Sequence, residues 1–309
     1  MTPIIKKLDI AASNQKQSSI PLTVLIAVRN EEKNIVSCLR CLNRVDQVVV
    51  IDSHSIDRTR ELAEREGATV YDFEYDGGWP KKRNWALTNI DIRNEWVMIL
   101  DADEQMTPEL FDEISEAIQA PGVNGYFVRW KFEFLGRWMK HCWSHCWMPR
   151  LFRHGFGEYE DLGMRGEGGW DAEVHENVII TGRAKRLRNY LEHNAGGDLS
   201  FWIRKQNDFS DWRARRTLQQ LGEPILSWRD LLRADPVMTR KWLKSVYIRL
   251  PMKPTLMFIY LYIIKLGFLD GKPGFYFCRL RSMHELNVCA KMYETQLESL
   301  NAKSTTVTK

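Results

Sequence analysis

Apolar runs of strand length alternate with amphipathic stretches through the first 125 residues. Residues 22–28 form a continuous apolar run of β-branched character, which is typical of a strand covered on both faces. Similar runs follow at 48–51, 68–73 and 96–100, and helical patterns lie between them at 35–45, 58–65 and 81–89. This alternation predicts βαβ units, and therefore an α/β fold with a mostly parallel sheet and flanking helices.

The pattern changes after Gly125. Residues 127–134 alternate apolar and polar side chains and predict a half-buried strand, and 150–153 and 174–180 are further strand candidates. From Leu199 onward the pattern is mainly helical, with a basic amphipathic stretch at 237–251. The sequence therefore predicts an α/β part followed by a helical C-terminal region.

Charge is unevenly distributed along the chain. The net charge is +4 over 309 residues, but residues 237–291 carry ten Lys or Arg against two Asp or Glu. A basic C-terminal third suggests contact with an anionic surface. No apolar segment reaches the roughly 20 residues that a spanning helix needs, and no secretory signal is visible. We therefore expect a cytoplasmic protein with its six cysteines reduced.

Two carboxylates, Asp101 and Asp103, follow the apolar run at 96–100. Ligands of a parallel sheet bind at the carboxyl ends of its strands, so these side chains would meet at a binding edge. Neighbouring carboxylates repel each other unless a cation neutralises them. Mg²⁺ is usually held by one or two carboxylates together with substrate phosphates. The pattern favours a metal–diphosphate site, and the alternative is that both aspartates only cap the helix that begins near Thr107.

Polar residues also accompany the other strands. Asp52 follows the second strand, where a carboxylate can accept hydrogen bonds from a nucleobase or ribose. Ser55 and Asp57, a few residues later, fit better as caps of the next helix. Arg83 lies before the fourth strand. It could bind phosphate or nucleotide, or it could be a solvent-exposed basic residue at the start of a helix.

Four segments, LTVLIAVRNEEKNI, VVVIDSHSIDRT, KKRNWAL and LDADE, together resemble the nucleotide-binding half of the family 2 glycosyltransferases. The resemblance runs from about Pro21 to Glu104. It implies the GT-A fold and an inverting transfer from a nucleotide sugar, with a UDP-sugar as the expected donor and Mg²⁺ or Mn²⁺ as the cofactor.

The same resemblance implies roles for single residues. Asp52 would contact the uracil or ribose, Asp101 the ribose, and Asp103 the metal, with His193 as a further metal ligand. Arg29 stands where many members of the family have an aromatic residue. The full set of expected nucleotide-binding residues is Ala27, Arg29, Glu31, Asp52, Arg83, Asp101 and Ala102.

Further segments resemble the branch that includes lipopolysaccharide-core glucosyltransferases: PRLFRHG at 149–155, EVHENV at 173–178, LEHN at 191–194 and GFLDGKPGF at 267–275. This implies transfer of a hexose to a lipid-linked or lipopolysaccharide-type glycan acceptor. Inverting transfer needs a base that removes the proton of the acceptor hydroxyl. Glu176 is the preferred base because VHE matches the family pattern, and Asp171, Glu173 and His175 remain alternatives.

The resemblance divides the chain into four parts. Residues 1–19 form a flexible tail, 20–125 the nucleotide-sugar-binding half of the GT-A domain, 126–198 the acceptor-binding and catalytic half, and 199–309 the helical C-terminal region. Residues 254–269 are apolar with basic flanks and fit an interfacial helix attracted to anionic lipid. The expected location is peripheral, on the inner face of the cell membrane. A helix covering the core, or a dimer contact, is the alternative.

Other functions fit the sequence less well. A sugar-phosphate nucleotidyltransferase would usually carry a Gly-rich basic loop after the first strand, where this chain has RNEEKN. Decay to a non-catalytic nucleotide-sugar or membrane-binding protein is disfavoured because Asp52, Asp101 and Asp103 are intact. A zinc site in HCWSHC at 141–146 would take four ligands from six consecutive residues, which is sterically awkward. No nucleic acid partner is expected, because the basic residues are mixed with a long apolar run.

Overall fold

The structure is a computed structural model that describes residues 19–143, 147–161, 163, 177–193, 198–222 and 236–307, with the side chains of the last range described over 242–301. In chain order its elements are β1 (Ile20–Val28), α1 (Ile35–Cys41), β2 (Val45–Asp52), α2 (Thr59–Arg65), β3 (Thr69–Asp72), α3 (Lys82–Asn89), β4 (Trp96–Asp101), β5 (Glu104–Met106), α4 (Pro108–Ala117), β6 (Gly125–Phe134), β7 (Arg137–Trp138), β8 (Trp147–Arg153), β9 (Gly157–Tyr159), β10 (Val178–Ile180), β11 (Ala184–His193), α5 (Leu199–Gly222), α6 (Pro236–Tyr247), α7 (Lys253–Ile259) and α8 (Gly271–Val307).

The main sheet has the strand order β3-β2-β1-β4-β8-β6-β11-β5. The first four strands are parallel, as the alternation of strands and helices predicts. β8 then runs antiparallel to both β4 and β6, β11 is parallel to β6, and β5 closes the far edge antiparallel to β11. The α/β class and the helical C-terminal region are confirmed.

Two hydrophobic clusters cover the two faces of the parallel strands. Val24 and Ile26 point into a cluster that includes side chains of α1 and α4. Leu25 and Ile99 point into a second cluster that includes side chains of α3. Because both faces of the sheet are covered, side chains that point to either face are mainly apolar. This produces the nearly continuous apolar runs of the sequence.

Helix α4 begins with the signal that the sequence contains. The Thr107 side chain accepts a hydrogen bond from the backbone N–H of Leu110 at 3.2 Å, and Pro108 occupies the first helical position. The short strand β5 lies between this cap and the two aspartates at 101 and 103. The alternative that Asp101 and Asp103 cap this helix is therefore wrong.

The C-terminal region is attached to the sheet domain around Asp270. Its buried carboxylate accepts backbone N–H bonds from Lys140 at 3.1 Å, His141 at 3.1 Å and Cys142 at 2.9 Å, and it contacts Nδ1 of His141 at 2.8 Å. Burial raises the pKa of Asp270, but the hydrogen bonds from Cys142 and His141 outweigh it and leave the pKa below its ordinary value. Asp270 therefore fixes the backbone of residues 140–142 and the His141 ring. Residues 144–146 of the HCWSHC segment lie outside the described part of the chain.

The expectation of one interfacial helix over residues 254–269 needs correction. Helix α7 continues into a π-helical turn at Tyr260–Ile264, the chain turns at Leu266 with φ +58°, and a 3₁₀ turn at Gly267–Asp270 leads into α8. Within the described residues no single helix is long and apolar enough to cross a membrane. By length and composition alone, the pair 253–264 and 267–301 passes that test together, with a bend of 73° between its halves.

Candidate active site

Strand register brings the predicted nucleotide-binding residues to one edge of the sheet. Asp52 at the end of β2 lies beside Val28 of β1, and Asp101 at the end of β4 lies beside Ala27. Because these strands are parallel, their carboxyl ends meet at this edge, where ligands of such sheets bind. Ala102 is buried in the apolar cluster on one face of the sheet, so any contact it makes with a ligand would involve its backbone.

Two arginines hold the Asp101 carboxylate. Arg83 of α3 contacts Oδ1, and Nη2 of Arg150 of β8 lies 2.6 Å from Oδ2. The same Arg150 nitrogen lies 2.9 Å from Oε1 of Glu104, whose Oε2 accepts the backbone N–H of Asp101 at 2.9 Å. Cations of the protein itself therefore neutralise Asp101, and its remaining lone pairs can still accept hydrogen bonds from a ribose.

Burial and charge act in opposite directions in this cluster. Burial raises the pKa of Asp101, but Arg150 and Arg83 outweigh it and leave the pKa well below its ordinary value. The Glu104 side chain is fully buried, and this burial raises its pKa despite Arg150, with Asp101 and Asp103 adding to the rise. Asp101 is therefore a fixed anion at neutral pH.

Asp103 faces a different partner, the imidazole of His193 at the end of β11. Nε2 of His193 lies 3.4 Å from Oδ2 of Asp103, and each side chain is less than a fifth exposed. The His193 ring also packs on Trp130, with ring centroids 5.4 Å apart. Burial lowers the pKa of His193, but the Asp103 carboxylate outweighs it and raises the pKa overall. The structure thus brings together the two predicted metal ligands, 90 residues apart in sequence.

These two side chains fit a divalent cation that is shared with a substrate. One carboxylate and one imidazole suit Mn²⁺ or Mg²⁺ when phosphate oxygens and water supply the other ligands. Among the described residues, no cluster of three or more His, Cys, Asp or Glu side chains is arranged to hold a metal ion by protein ligands alone.

The loops after β1 and β2 are bonded to each other. The Ser55 hydroxyl lies 2.5 Å from Oδ1 of Asp52 and accepts the backbone N–H of Asn30 at 2.9 Å. Oδ2 of Asp57 accepts the backbone N–H of Glu32 at 3.2 Å. Ser55 and Asp57 therefore have structural roles, but Ser55 links the two loops and does not cap α2 as expected. Asp52 is buried at 2% exposure.

Glu31 and Arg29 differ in their surroundings. The Glu31 carboxylate accepts a hydrogen bond from Asn34 at 2.8 Å. Burial raises its pKa, Asn34 partly offsets this, and the nearby Asp103 adds to the rise. Glu31 therefore belongs to the acidic edge, whereas the Arg29 side chain is exposed.

Two cations of the site were not predicted. Arg150 lies in PRLFRHG, and the sequence signal for its role is a basic residue flanked by apolar residues in the middle of a strand. Nζ of the buried Lys82 donates to the backbone carbonyl of Val28 at 2.7 Å and so supports the end of β1. Basic side chains are rarely fully buried unless they are paired. The burial of Lys82 and Arg150 therefore indicates that each has a partner in the site. The predicted bases Glu173, His175 and Glu176, and their alternative Asp171, lie outside the described residues.

Carboxylates at the carboxyl ends of parallel strands, backed by buried arginines, define an α/β protein with a site suited to a metal-bound nucleotide. Residues 23–164 match the family model described as glycosyl transferase family 2. This part of the chain therefore matches a family 2 glycosyltransferase domain, and the predicted mixed α/β fold with a helical C-terminal region is observed.

The chain is also similar to proteins of known sequence or structure. The chain is 24% identical over 211 residues to an uncharacterised glycosyltransferase of Rickettsia typhi, covering 64% of this chain and 68% of the relative. It is 25% identical over 219 residues to the lipopolysaccharide core biosynthesis glycosyltransferase LpsC of Rhizobium meliloti, covering 66% and 74%. A mannosyltransferase from Pyrobaculum calidifontis, solved with GDP-Man and Mn²⁺, is similar with a TM-score of 0.49 at 14% identity, covering 90% of this chain and 88% of that one.

Proposed function

We propose that the protein is an inverting glycosyltransferase that moves a hexose from a UDP-sugar to a lipid-linked or lipopolysaccharide-type glycan at the cytoplasmic face of the membrane. The observation that carries this proposal is the pair of Asp103 and His193 beside the arginine-held Asp101. In this proposal the pair would hold a metal ion next to a fixed anion at the carboxyl edge of the sheet. The similarity to LpsC supports a glycan acceptor of the lipopolysaccharide type.

Each group at the edge has a distinct task in this proposal. Asp103 and His193 would hold Mg²⁺ or Mn²⁺, which stabilises charge on the departing diphosphate when bound. Asp101, fixed by Arg83 and Arg150, orients the ribose as a hydrogen-bond acceptor. Glu176 stays the predicted base that removes the proton of the acceptor hydroxyl.

The decisive experiment is nucleotide release from a panel of sugar donors. We expect UDP release from UDP-glucose or another UDP-hexose in the presence of Mn²⁺, and none after chelation with EDTA. Incubation of each nucleotide sugar with and without Mn²⁺, followed by chromatography of the nucleotide, measures this. Release of GDP alone would contradict the choice of UDP, and no release with any donor and glycan acceptor would contradict the enzymatic proposal.

Membrane association is proposed from the exposed apolar side chains around the break after α7. Ile263 and Ile264 are 52% and 65% exposed, and Leu266 and Phe268 are each 45% exposed. Apolar groups exposed next to basic residues favour an interface with anionic lipid.

We expect the double substitution Ile263→Glu with Ile264→Glu to weaken binding to phosphatidylglycerol vesicles by at least about tenfold. It removes apolar groups that would insert among the lipids and adds repulsion from anionic lipid. Vesicle flotation measures the bound fraction. The matched control is Leu297→Glu with Leu300→Glu, two residues that are 41% and 62% exposed at the far end of α8. Equal binding by both double variants would contradict the proposed membrane surface.

A further inference from the structure

Cations and aromatic rings alternate across one face of the second half of the sheet. We call this set the basic–aromatic ladder; its members, from β6, β7, β8 and β11, are Arg186, Trp147, Arg129, Tyr190, Lys131 and Trp138. None of them has a role in the donor site described above.

The contacts along the ladder are continuous. Cζ of Arg186 lies 5.3 Å from the Trp147 ring centroid, and Cζ of Arg129 lies 5.9 Å from the same ring and 5.8 Å from that of Tyr190. Nζ of Lys131 lies 6.0 Å from the Tyr190 centroid. Trp147 is thus flanked by two guanidinium groups, at separations where a cation and an aromatic face attract each other.

The ladder holds more positive charge than its neighbours neutralise. Lys131 pairs with Glu133 at 3.2 Å and with Glu192 at 3.1 Å. Within the part of the chain that the structure describes, neither Arg129 nor Arg186 forms an ion pair with a carboxylate, and the buried Nε of Arg129 has no hydrogen-bond partner. Arg186 is exposed and Arg129 is half-buried, so their guanidinium charges have no carboxylate partner and can attract an anionic ligand.

The ladder and the Asp103–His193 pair lie on opposite faces of β11. Tyr190 of the ladder and Glu192, which pairs with Lys131, are on one face, while His193 on the other face packs on Trp130 and faces Asp103. A molecule that lies along the ladder would therefore approach the strand end of the pair from the opposite face of the sheet.

We propose that the basic–aromatic ladder binds an acidic oligosaccharide, whose carboxylate or phosphate groups contact Arg129 and Arg186 and whose sugar rings pack on Trp147 and Tyr190. Guanidinium groups match carboxylate and phosphate geometry, and aromatic faces pack on sugar rings. Since this rests on the proposed glycosyl transfer, the oligosaccharide is an acidic stretch of the acceptor glycan. The combination of unpaired guanidinium groups with flat rings selects a charged saccharide over a neutral one.

Calorimetric titration with three probes, without donor or metal, tests the proposal. Trigalacturonate carries both rings and carboxylates, maltotriose carries rings alone, and citrate carries carboxylates alone. We expect trigalacturonate to bind with a Kd at least about tenfold lower than either other probe, because only it uses both kinds of contact. Equal binding of trigalacturonate and citrate would overturn the proposal, because it would show charge attraction alone.

Variants locate the binding. Arg129→Gln with Arg186→Gln is expected to weaken trigalacturonate binding by at least about tenfold, and the exposed Arg186→Gln alone to cause part of that loss without disturbing the fold. The control is Lys185→Gln, which removes an exposed charge next to Arg186 on β11. Unchanged trigalacturonate binding in the double variant, including the case in which vesicle binding is lost instead, overturns the proposal. Thermal stabilisation by UDP and Mn²⁺ is measured in parallel, so a failure of the donor site is distinguishable from a failure of the ladder.

Discussion

Substitution of Asp103 by Asn is expected to reduce Mn²⁺-dependent nucleotide release by at least about 100-fold while the protein stays folded. Loss of a residue that only supports a metal ligand typically costs about 10–100-fold in metal affinity or activity, so loss of a direct ligand reaches at least the upper end. The amide keeps the shape of the side chain but removes the charge that faces His193 at 3.4 Å. Steady-state release of UDP measures the effect on turnover, and electron paramagnetic resonance of Mn²⁺ measures the effect on metal binding.

The control for this substitution is Asp112→Asn. This control makes the same chemical change at a surface position of α4. The Asp112 side chain is 68% exposed and pairs with Arg44. We expect this variant to keep wild-type turnover and Mn²⁺ affinity. If Asp103→Asn retained both as well, Asp103 would not be a metal ligand and the proposed site would be wrong.

Substitution of Arg150 by Met is expected to destabilise the fold by about 3–5 kcal/mol, which is typical when one partner of a buried ion pair is removed. The Arg150 side chain is 5% exposed, and it contacts both Asp101 and the fully buried Glu104. The Met side chain fills much of the space, so the loss comes mainly from the carboxylates left without their cation. Urea unfolding followed by fluorescence measures the change in free energy of unfolding.

A second substitution separates this charge effect from a packing effect. Glu104→Gln in the Arg150→Met background removes one of the stranded carboxylates, so we expect the double variant to be more stable than Arg150→Met alone. Arg188→Met is the surface control: the Arg188 side chain is 89% exposed beside Glu113, and its loss is expected to cost less than about 1 kcal/mol. If Arg150→Met and Arg188→Met lowered the free energy of unfolding equally, the buried ion pairs of Arg150 would stabilise the fold no more than a surface ion pair does.

The strands β1 to β4 and their order along the chain were predictable from the local pattern of apolar and polar residues. The run at 22–28 is mostly apolar on both sides because Val24 and Leu25 enter different clusters on opposite faces. Its buried Thr23 hydrogen-bonds to the Gln47 side chain. The helix start at Thr107 was equally legible, since a capping side chain and Pro108 act within one turn. Such signals involve residues that are neighbours in the chain, so they can be predicted from a single sequence.

Partners that lie far apart in sequence were not predictable in the same way. Asp101 carries no local sign that Arg150, 49 residues later, neutralises it, and the expectation from the residues alone was a metal cation. The pairing of Asp103 with His193 was expected only through resemblance to a family. The break in the apolar segment at 254–269 was also missed, because the buried contacts of Asp270 with residues 140–142 determine where that segment turns.

The sequence by itself determined the α/β class, the parallel strands β1–β4 and the carboxylates at their ends, because periodicity and strand-end polarity depend on residues that are neighbours in the chain. Only the tertiary structure decided which cations hold Asp101, and it brought the ladder's guanidinium groups together from β6 and β11. Electrostatic and ring contacts of this kind depend on distances between strands that are remote along the chain, and those distances exist only after the sheet has formed.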